Sequence, residues 1–356
     1  MRENQGRIRY ELPLINALAV ELKAEAIAKV AKHHRIRMIS EDVLVSKCTY
    51  PQTASLEETI PACSSVAGEG TASRGTDRAK ELGMLGKGGV GVAVIDTGVF
   101  LHEDLIHPYN RVVAFHDLVG GKSSPYDDDG HGTHVTGIIA GSGFVEQKRC
   151  GVAPYSHIIA IKALDHAGNG NASDILAGLQ WILANRDRYH IKVVNLSLGI
   201  TPDSSVEEDP LVQGVNAVVR SGLTVIAAAG NQGPQECTIS SPGISPYVIT
   251  VGAADVTRSP FTVAPFSSRG PTREGLPKPD FLAPGVEISS LDHQDPRGYK
   301  VQSGTSMATP VVSGAAANLY AIWPDLTPLQ IKKLLLRSCC RIEAESSFAQ
   351  GYGLLY

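Results

Sequence analysis

The 356-residue chain lacks three features that would indicate a membrane, a nucleic acid or a zinc ion as a partner. No window of about 18 apolar residues occurs, so no transmembrane helix is predicted. With 32 basic residues against 36 acidic ones, no basic excess indicates nucleic-acid binding. The six cysteines have no Cys-x-x-Cys spacing, and we expect independent, reduced thiols: Cys48, Cys63, Cys150, Cys237, Cys339 and Cys340.

The first residues also lack the apolar core of a signal peptide. Residues 1–5 are polar (MRENQ), and no apolar run with a small-residue cleavage site follows them. The sequence therefore predicts a cytoplasmic protein. The alternative is an exported protein whose leader is absent from this sequence, or one that is exported by another route.

What is present is an ordinary globular composition, 43% hydrophobic and 19% charged, in a chain long enough for one large domain and one small one. Residues 1–48 have a β-β-α-β pattern that predicts a small α+β domain. Residues 49–75 are rich in small and polar residues and predict a linker with a possible processing site. The predicted elements of the first region are strands over 7–15 and 17–22, a helix over 23–34, and a strand or strand pair over 35–46.

From about residue 87 onward, short apolar runs alternate with segments of helical periodicity. Runs that are apolar on both faces are typical of a parallel sheet covered by helices on both sides. We therefore predict a three-layer α/β domain over 76–356, with a mostly parallel central sheet. The apolar runs are 91–96, 157–164, 192–198, 223–229 and 247–253, and the helical segments are 132–140, 173–186, 210–221, 306–322 and 327–338.

Four polar residues stand at the predicted ends of these elements, where open α/β sheets place their functional groups. Asp96 and Asn231 each end an apolar run, and His131 lies between glycines at the start of a helix. Ser306 opens a helix whose N-terminus favours negative charge beside it. Taken singly, each is also explained as a turn or cap residue.

Taken together, the segments AVIDTGV, DGHGTHVTGIIAG, AAAGNQG and GTSMATP make the chain similar to the subtilase family over residues 75–356. The segments GVAP, VVNLSLG, FSSRGP and LAPG add to the resemblance. It implies a subtilisin-like fold and a serine endopeptidase that forms an acyl-enzyme. In that family the matching residues are the nucleophile (Ser306), the general base and acid (His131), the residue that orients it (Asp96) and the oxyanion-hole side chain (Asn231).

The resemblance also implies where a polypeptide substrate binds. Two edges would pair with an extended peptide, and a third segment would wall the S1 pocket. No charge occurs at these positions, so we expect broad specificity with an apolar or aromatic P1 residue. Ala172 stands where members of that family often have a bulky aromatic residue that lines S4, so we expect an open S4 pocket. The predicted binding residues are Gly168, Asn169, Gly170, Ser197, Leu198 and Gly199 at the edges, and Ala228, Ala229, Gly230 and Ser240 at S1.

Residues 1–48 resemble the second half of the subtilase propeptide (the inhibitor I9-like fold), which implies a zymogen with an intramolecular inhibitor. Glu41 and Asp42 match the acidic end of that unit. The first strand and helix of the propeptide fold are missing, so a permanently attached subdomain is the alternative. Cleavage, if it occurs, is expected within residues 46–75.

The resemblance implies no cofactor for the chemistry, but it raises the question of a structural calcium ion. Asp104 matches a carboxylate ligand of the family, although the loop before GVAP carries Lys148 and Arg149. Calcium takes six to eight oxygen ligands, so Asp104 alone is a weak candidate. Two other functions stay open: a metallopeptidase built on His131 and His134, and a non-catalytic binding protein held inhibited by residues 1–48.

Overall fold

The structure of the protein, a computed structural model, describes residues 6–51 and 89–355. Within these residues no helix is long and apolar enough to cross a membrane. The predicted linker lies mostly outside them, and the predicted compartment stays a prediction. The helices are α1 (Ala24–Ala31), α2 (Glu103–Ile106), α3 (His131–Ala140), α4 (Ala172–Asn185), α5 (Pro210–Arg220), α6 (Thr305–Ile322), α7 (Pro328–Arg337) and α8 (Ser347–Gln350).

The main feature is a ten-stranded sheet with the strand order β16-β17-β13-β11-β10-β8-β4-β6-β5, in which β12 pairs with β11. Adjacent strands in this sheet are parallel, except that β12 is antiparallel to β11 and β16 is antiparallel to β17. The strands are β1 (Arg7–Leu12), β2 (Ala17–Glu21), β3 (Leu44–Lys47), β4 (Gly91–Asp96), β5 (Val112–Asp117), β6 (His157–Lys162), β7 (Asn169–Asn171), β8 (Ile191–Leu196), β9 (Leu198–Gly199), β10 (Thr224–Ala228), β11 (Ile249–Asp255), β12 (Thr262–Val263), β13 (Phe281–Pro284), β14 (Ile288–Leu291), β15 (Tyr299–Gln302), β16 (Cys339–Cys340) and β17 (Leu354–Leu355).

Helices cover both faces of this sheet and form two separate apolar cores. Successive residues of β4 alternate between them: Val92 and Val94 pack with α3 and α6, whereas Ala93 and Ile95 pack with α4 and α5. This alternation follows from the two-residue period of a strand. The predicted three-layer α/β architecture is therefore present, and the carboxyl end of β4 lies where elements of both layers converge.

The N-terminal unit, residues 6–51, differs in part from its predicted pattern. The β1–β2 hairpin and α1 are present, but the predicted strand over 7–15 ends at Leu12. Pro13 begins a 3-10 turn there, since proline has no N–H to donate to a strand ladder. The predicted strand over 35–46 is reduced to β3, and residues 35–43 are irregular.

This unit docks on the N-terminal end of α4. The Arg9 guanidinium and the Tyr10 hydroxyl each donate to Asp174 Oδ1 at 2.8 Å. The Asp42 carboxylate accepts from Ser173 N at 2.8 Å and from Ser173 Oγ at 2.7 Å. A carboxylate at a helix N-terminus meets unpaired N–H groups and the positive end of the helix dipole. Because Asp42 lies two residues before β3, these contacts anchor the chain where that strand begins.

Candidate active site

Asp96 and His131, which lie 35 residues apart in the chain, are brought together at the carboxyl edge of the sheet. Asp96 is the last residue of β4 and His131 is the first residue of α3, and both side chains are 1% exposed. His131 Nδ1 donates to Asp96 Oδ1 at 2.6 Å, and the carboxylate also accepts from Thr97 N at 2.8 Å. Because the bond to Asp96 uses Nδ1, the imidazole keeps Nε2 for proton transfer.

Ser306 is the second residue of α6, a helix that packs against α3. Its hydroxyl donates to the Ser197 carbonyl oxygen at 2.8 Å, and its backbone N–H donates to the Cys48 carbonyl oxygen at 3.2 Å. His131 Nε2 is buried and has no hydrogen-bond partner among residues 6–51 and 89–355. The serine hydroxyl is thus directed at Ser197, and His131 Nε2 is free to accept a proton.

The Asn231 side chain is oriented by its own oxygen. Asn231 Oδ1 accepts from Thr305 N at 3.0 Å and from Thr305 Oγ1 at 2.9 Å. Asn231 Nδ2 is left buried without a partner in the described part of the chain. A Cβ added to Gly304 would lie 2.4 Å from the Cys48 carbonyl oxygen and 3.3 Å from Asn231 Nδ2, so both atoms lie close to the Gly304 backbone. A buried donor without a partner costs free energy. An oxygen that gained negative charge at the place of the Cys48 carbonyl oxygen would be a strong acceptor for Asn231 Nδ2.

Sequence reasoning missed Asp127, which organises the loop between Asp96 and His131. Its buried carboxylate accepts from Thr97 Oγ1 at 2.9 Å, Gly130 N at 2.8 Å and Thr133 Oγ1 at 2.6 Å. Burial alone would raise the pKa of Asp127, but these donors hold that pKa below its ordinary value. The signal in the sequence is the run of three aspartates before the His131 motif.

Lys162 was also missed. It ends β6 and is fully buried, and its Nζ donates to the Thr97 carbonyl oxygen at 2.6 Å and to Asp128 Oδ1 at 2.6 Å. It therefore ties the residue after Asp96 to the aspartate run. A lysine at the end of an apolar run gives no clue to this function, because its partners lie far away in sequence.

The two predicted peptide-binding edges hold an extended peptide, and this peptide is part of the chain itself. Strand β3 pairs antiparallel with β7 on one side and with β9 on the other. Lys47 N donates to the Gly168 carbonyl oxygen at 3.0 Å, and Cys48 N donates to that of Ser197 at 3.2 Å. Two residues further along the chain, Tyr50 N donates to the Ser303 carbonyl oxygen at 2.8 Å. The chain therefore runs through the site from one side to the other.

Gly199, at one predicted edge, lies between the Cys48 side chain and Ser240, one of the predicted S1 residues. A Cβ on Gly199 would lie 2.9 Å from Ser240 Cβ and 3.5 Å from Cys48 Sγ. Gly230 also adjoins Ser240, whose Oγ lies 2.2 Å from the position of a Cβ there. The neighbouring Ala228 and Ala229 are fully buried. Burial, with a smaller effect of the Asp96 charge, raises the pKa of the Cys48 thiol to about 12, so the side chain at this place is neutral.

Asp104 does not fit the calcium site for which it was a candidate. Its Oδ1 accepts from Val145 N at 2.8 Å and its Oδ2 accepts from the Tyr299 hydroxyl at 2.8 Å. The Arg149 guanidinium lies over the Tyr299 ring, 4.6 Å from its centroid. Within residues 6–51 and 89–355 no group of three or more His, Cys, Asp or Glu residues could hold a metal ion. Both carboxylate oxygens of Asp104 therefore already accept hydrogen bonds from the protein, and a cation lies over the ring of one donor.

The His134 ring has a structural function in the β14–β15 hairpin. Its Nε2 lies 3.1 Å from the Ile288 carbonyl oxygen and 3.0 Å from that of Lys300, so the ring holds both strands of the β14–β15 hairpin. Burial, together with the neighbouring His131, lowers the pKa of His134 to about 3. The ring is thus neutral and its Nε2–H is committed to carbonyl oxygens, which does not support a metal shared with His131.

Comparisons with known proteins identify the family of this chain. Residues 87–353 match the family described as "Subtilase family". "Serine protease AprX" of Bacillus subtilis is 37% identical over 99% of this chain and 80% of that protein. "Subtilisin E" of the same species is 32% identical, over 99% and 82%. A solved "cold adapted subtilisin-like serine proteinase" has a TM-score of 0.62 and 32% identity over 76% of this chain and 89% of that one.

Proposed function

We propose, from the premise that this chain belongs to the subtilase family and is a serine endopeptidase, that Ser306 is its nucleophile, His131 its general base and Asp96 the residue that orients His131. The observation that carries this assignment is the buried 2.6 Å bond from His131 Nδ1 to Asp96 Oδ1. It leaves the second imidazole nitrogen available for the serine proton.

The mechanism follows from these contacts. The Ser306 hydroxyl leaves the Ser197 carbonyl, passes its proton to His131 Nε2 and attacks the peptide carbonyl carbon. His131 then gives the proton to the leaving amine, and water hydrolyses the acyl-enzyme by the same steps in reverse. Asp96 stabilises the imidazolium that forms in each half of the reaction. A serine-directed sulfonyl fluoride should therefore abolish hydrolysis of a chromogenic peptide and label Ser306, whereas EDTA should leave the chemistry intact.

The oxyanion hole consists, in this proposal, of Ser306 N and Asn231 Nδ2. It is supported by the Cys48 carbonyl oxygen, which accepts from Ser306 N, and by the unpartnered Asn231 amide beside the same glycine. Donors aimed at a developing negative charge lower the barrier more than they strengthen ground-state binding.

Asn231→Ala should lower kcat by about 10²- to 10³-fold with little change in KM, since it removes a donor that acts mainly in the transition state. Steady-state kinetics on a soluble peptide measure both constants. The thermal midpoint of the inactive Ser306→Ala/Asn231→Ala double variant, compared with Ser306→Ala, controls for a folding defect. A raised KM with an unchanged kcat would contradict the assignment.

We further propose that residues 1–48 act as an intramolecular inhibitor and that the site cuts the bond from Cys48 to Thr49. The support is the position of β3 between both edges, with the Cys48 carbonyl oxygen on the proposed oxyanion donor. In this register Cys48 is the P1 residue, Lys47 is P2 and Thr49 is P1′. A neutral side chain at S1 also supports the expected apolar or aromatic P1 preference.

The freshly purified protein should therefore show a new N-terminus at Thr49, with the 1–48 fragment still bound. Intact-mass and N-terminal analysis under denaturing conditions measure both pieces. Thr53→Ala, beyond the bond and outside the described residues, is a matched control that should be cut at the same place. Cleavage elsewhere in residues 46–75, with Cys48–Thr49 intact, would show that the observed register is not the productive one.

A further inference from the structure

The side chain of Lys47 reaches from Gly168 to Asp129, two residues before His131. Its methylene groups lie against Gly168, where an added Cβ would lie 2.5 Å from Lys47 Cδ, so a side chain at 168 would displace the lysine. The Lys47 ammonium forms an ion pair with Asp129 Oδ2. The lysine side chain is 28% exposed and that of Asp129 is 9% exposed, so this pair is partly shielded from water.

Asp129 is held in place by the same loop that carries the catalytic histidine. Its Oδ1 accepts from His131 N at 3.1 Å, and its own N–H donates to Asp127 Oδ1 at 3.2 Å. The carboxylate is therefore fixed two residues before His131, and Oδ2 is the oxygen that faces the bound peptide.

In the described part of the chain, the three consecutive aspartates have different partners, and one of them pairs with the segment that contains β3. Asp127 is satisfied by hydroxyl and backbone donors of its own loop. Asp128 pairs with the buried ammonium of Lys162 at 2.6 Å. Asp129 pairs with Lys47, which belongs to the segment that lies in the substrate cleft. When that segment leaves, Asp129 loses its cation, and a substrate can supply another.

We infer that Asp129 is a specificity-determining residue and that the enzyme prefers substrates with lysine or arginine at P2. The inference rests on the proposed function, because it takes the register of residues 44–50 as that of a substrate. The preference extends the expected broad specificity: S1 accepts a neutral residue, and S2 selects a positive charge. Gly168 leaves room for the long methylene stem, and Asp129 meets the charge at its end.

The test uses the processed enzyme and internally quenched peptides that reproduce residues 44–50, with α-aminobutyrate in place of the cysteine. P2 is lysine, arginine, norleucine or glutamate. Norleucine has the apolar stem of lysine without its charge, so the ratio of kcat/KM for lysine over norleucine reports the ion pair. For a partly shielded pair we expect a ratio of about 10- to 50-fold, with glutamate the poorest substrate. The ratio should fall as salt is added, because screening weakens such a pair.

Asp129→Asn should bring the lysine-to-norleucine ratio to within about threefold of one, since asparagine keeps an acceptor for His131 N but carries no charge. Asp187→Asn removes an equal charge from a side chain that is 96% exposed, and it should retain the full ratio. Hydrolysis that is sensitive to the sulfonyl fluoride, with equal kcat/KM for lysine and norleucine, would overturn this inference alone. A ratio that persists in Asp129→Asn would also overturn it. Absent or fluoride-resistant hydrolysis of every peptide would overturn the proposed function as well.

Discussion

Replacing Ser306 by alanine should lower kcat by about 10⁴- to 10⁶-fold and leave the Cys48–Thr49 bond uncut. Activity falls by this much when a member of the triad is removed from enzymes with this chemistry. The rate enhancement that remains comes from substrate binding and the oxyanion hole. Ser306 is fully buried, and within residues 6–51 and 89–355 its hydroxyl has one hydrogen bond, to the Ser197 carbonyl oxygen, so the fold should tolerate alanine. The chain should therefore accumulate folded and intact.

Asp96→Asn is the matched change in the same network and should cost about 10⁴-fold in kcat. Asparagine keeps the shape, but its amide disturbs the tautomer of His131 that the 2.6 Å bond selects. Ser338→Ala, at the end of α7, is a control serine whose hydroxyl donates to the Leu334 carbonyl oxygen, remote from the triad. It should keep wild-type kcat. Single-turnover kinetics and the intact mass of each chain give the comparison, and a Ser306→Ala variant that still processes itself would refute a serine mechanism in cis.

The large domain could be predicted because its signals are local and repeated. The run 91–96 coincides with β4. Side chains on both faces of this strand are apolar because helices cover both sides of the sheet. The region 35–46 was harder, since it has no partner strand within its own unit. Only Leu44–Lys47 is a strand there, and what makes it one is pairing with β7 and β9, more than 120 and 150 residues away.

In the candidate site, too, residues with a local sequence signal could be predicted, whereas those that depend on distant partners could not. Asp96, His131 and Ser306 stand at element ends and Asn231 follows the end of β10, and such positions can be predicted from a sequence pattern. Lys162 and the separate functions of the three aspartates depend on which carbonyl, hydroxyl or ammonium each one meets after folding. Sequence order cannot rank three adjacent carboxylates, because their partners come from distant parts of the chain.

The free energy of unfolding should fall steeply as the pH is lowered from 7 towards 4.5, and His134 should account for a large part of the fall. Burial lowers the pKa of the folded ring to about 3, whereas an unfolded histidine has a pKa of about 6.5. Between these values the unfolded chain binds a proton and the folded chain does not, so acid favours unfolding. The difference between the folded and the unfolded pKa of His134 corresponds to ~5 kcal/mol of unfolding free energy, at 1.36 kcal/mol per pH unit. Of this, ~3 kcal/mol is lost by pH 4.5, and the whole is lost near pH 3.

His134→Gln should separate this residue from the other titrating groups. Glutamine can donate to the Ile288 or Lys300 carbonyl oxygen but does not titrate, so the variant should lose ~3 kcal/mol less than its parent between pH 7 and pH 4.5. His102, His116 and His157 also have a lowered pKa from burial, and they remain in both proteins, so the difference isolates position 134. The carboxylates of Asp127 and Asp280, whose pKa is lowered, lose stabilising charge only below about pH 4.

The measurement is urea unfolding at pH 7, 5.5 and 4.5, with every chain carrying Ser306→Ala so that autolysis does not compete with unfolding. His166→Gln is the control, because the side chain of His166 is exposed in the folded protein. The free energy of unfolding of this variant should depend on pH as that of the parent does. A His134→Gln chain that loses as much stability in acid as its parent would place the acid sensitivity elsewhere. A smaller loss would assign that part of the acid sensitivity to the buried His134 ring, because protonation at Nδ1 places a charge away from water although Nε2–H still donates to the Ile288 and Lys300 carbonyl oxygens.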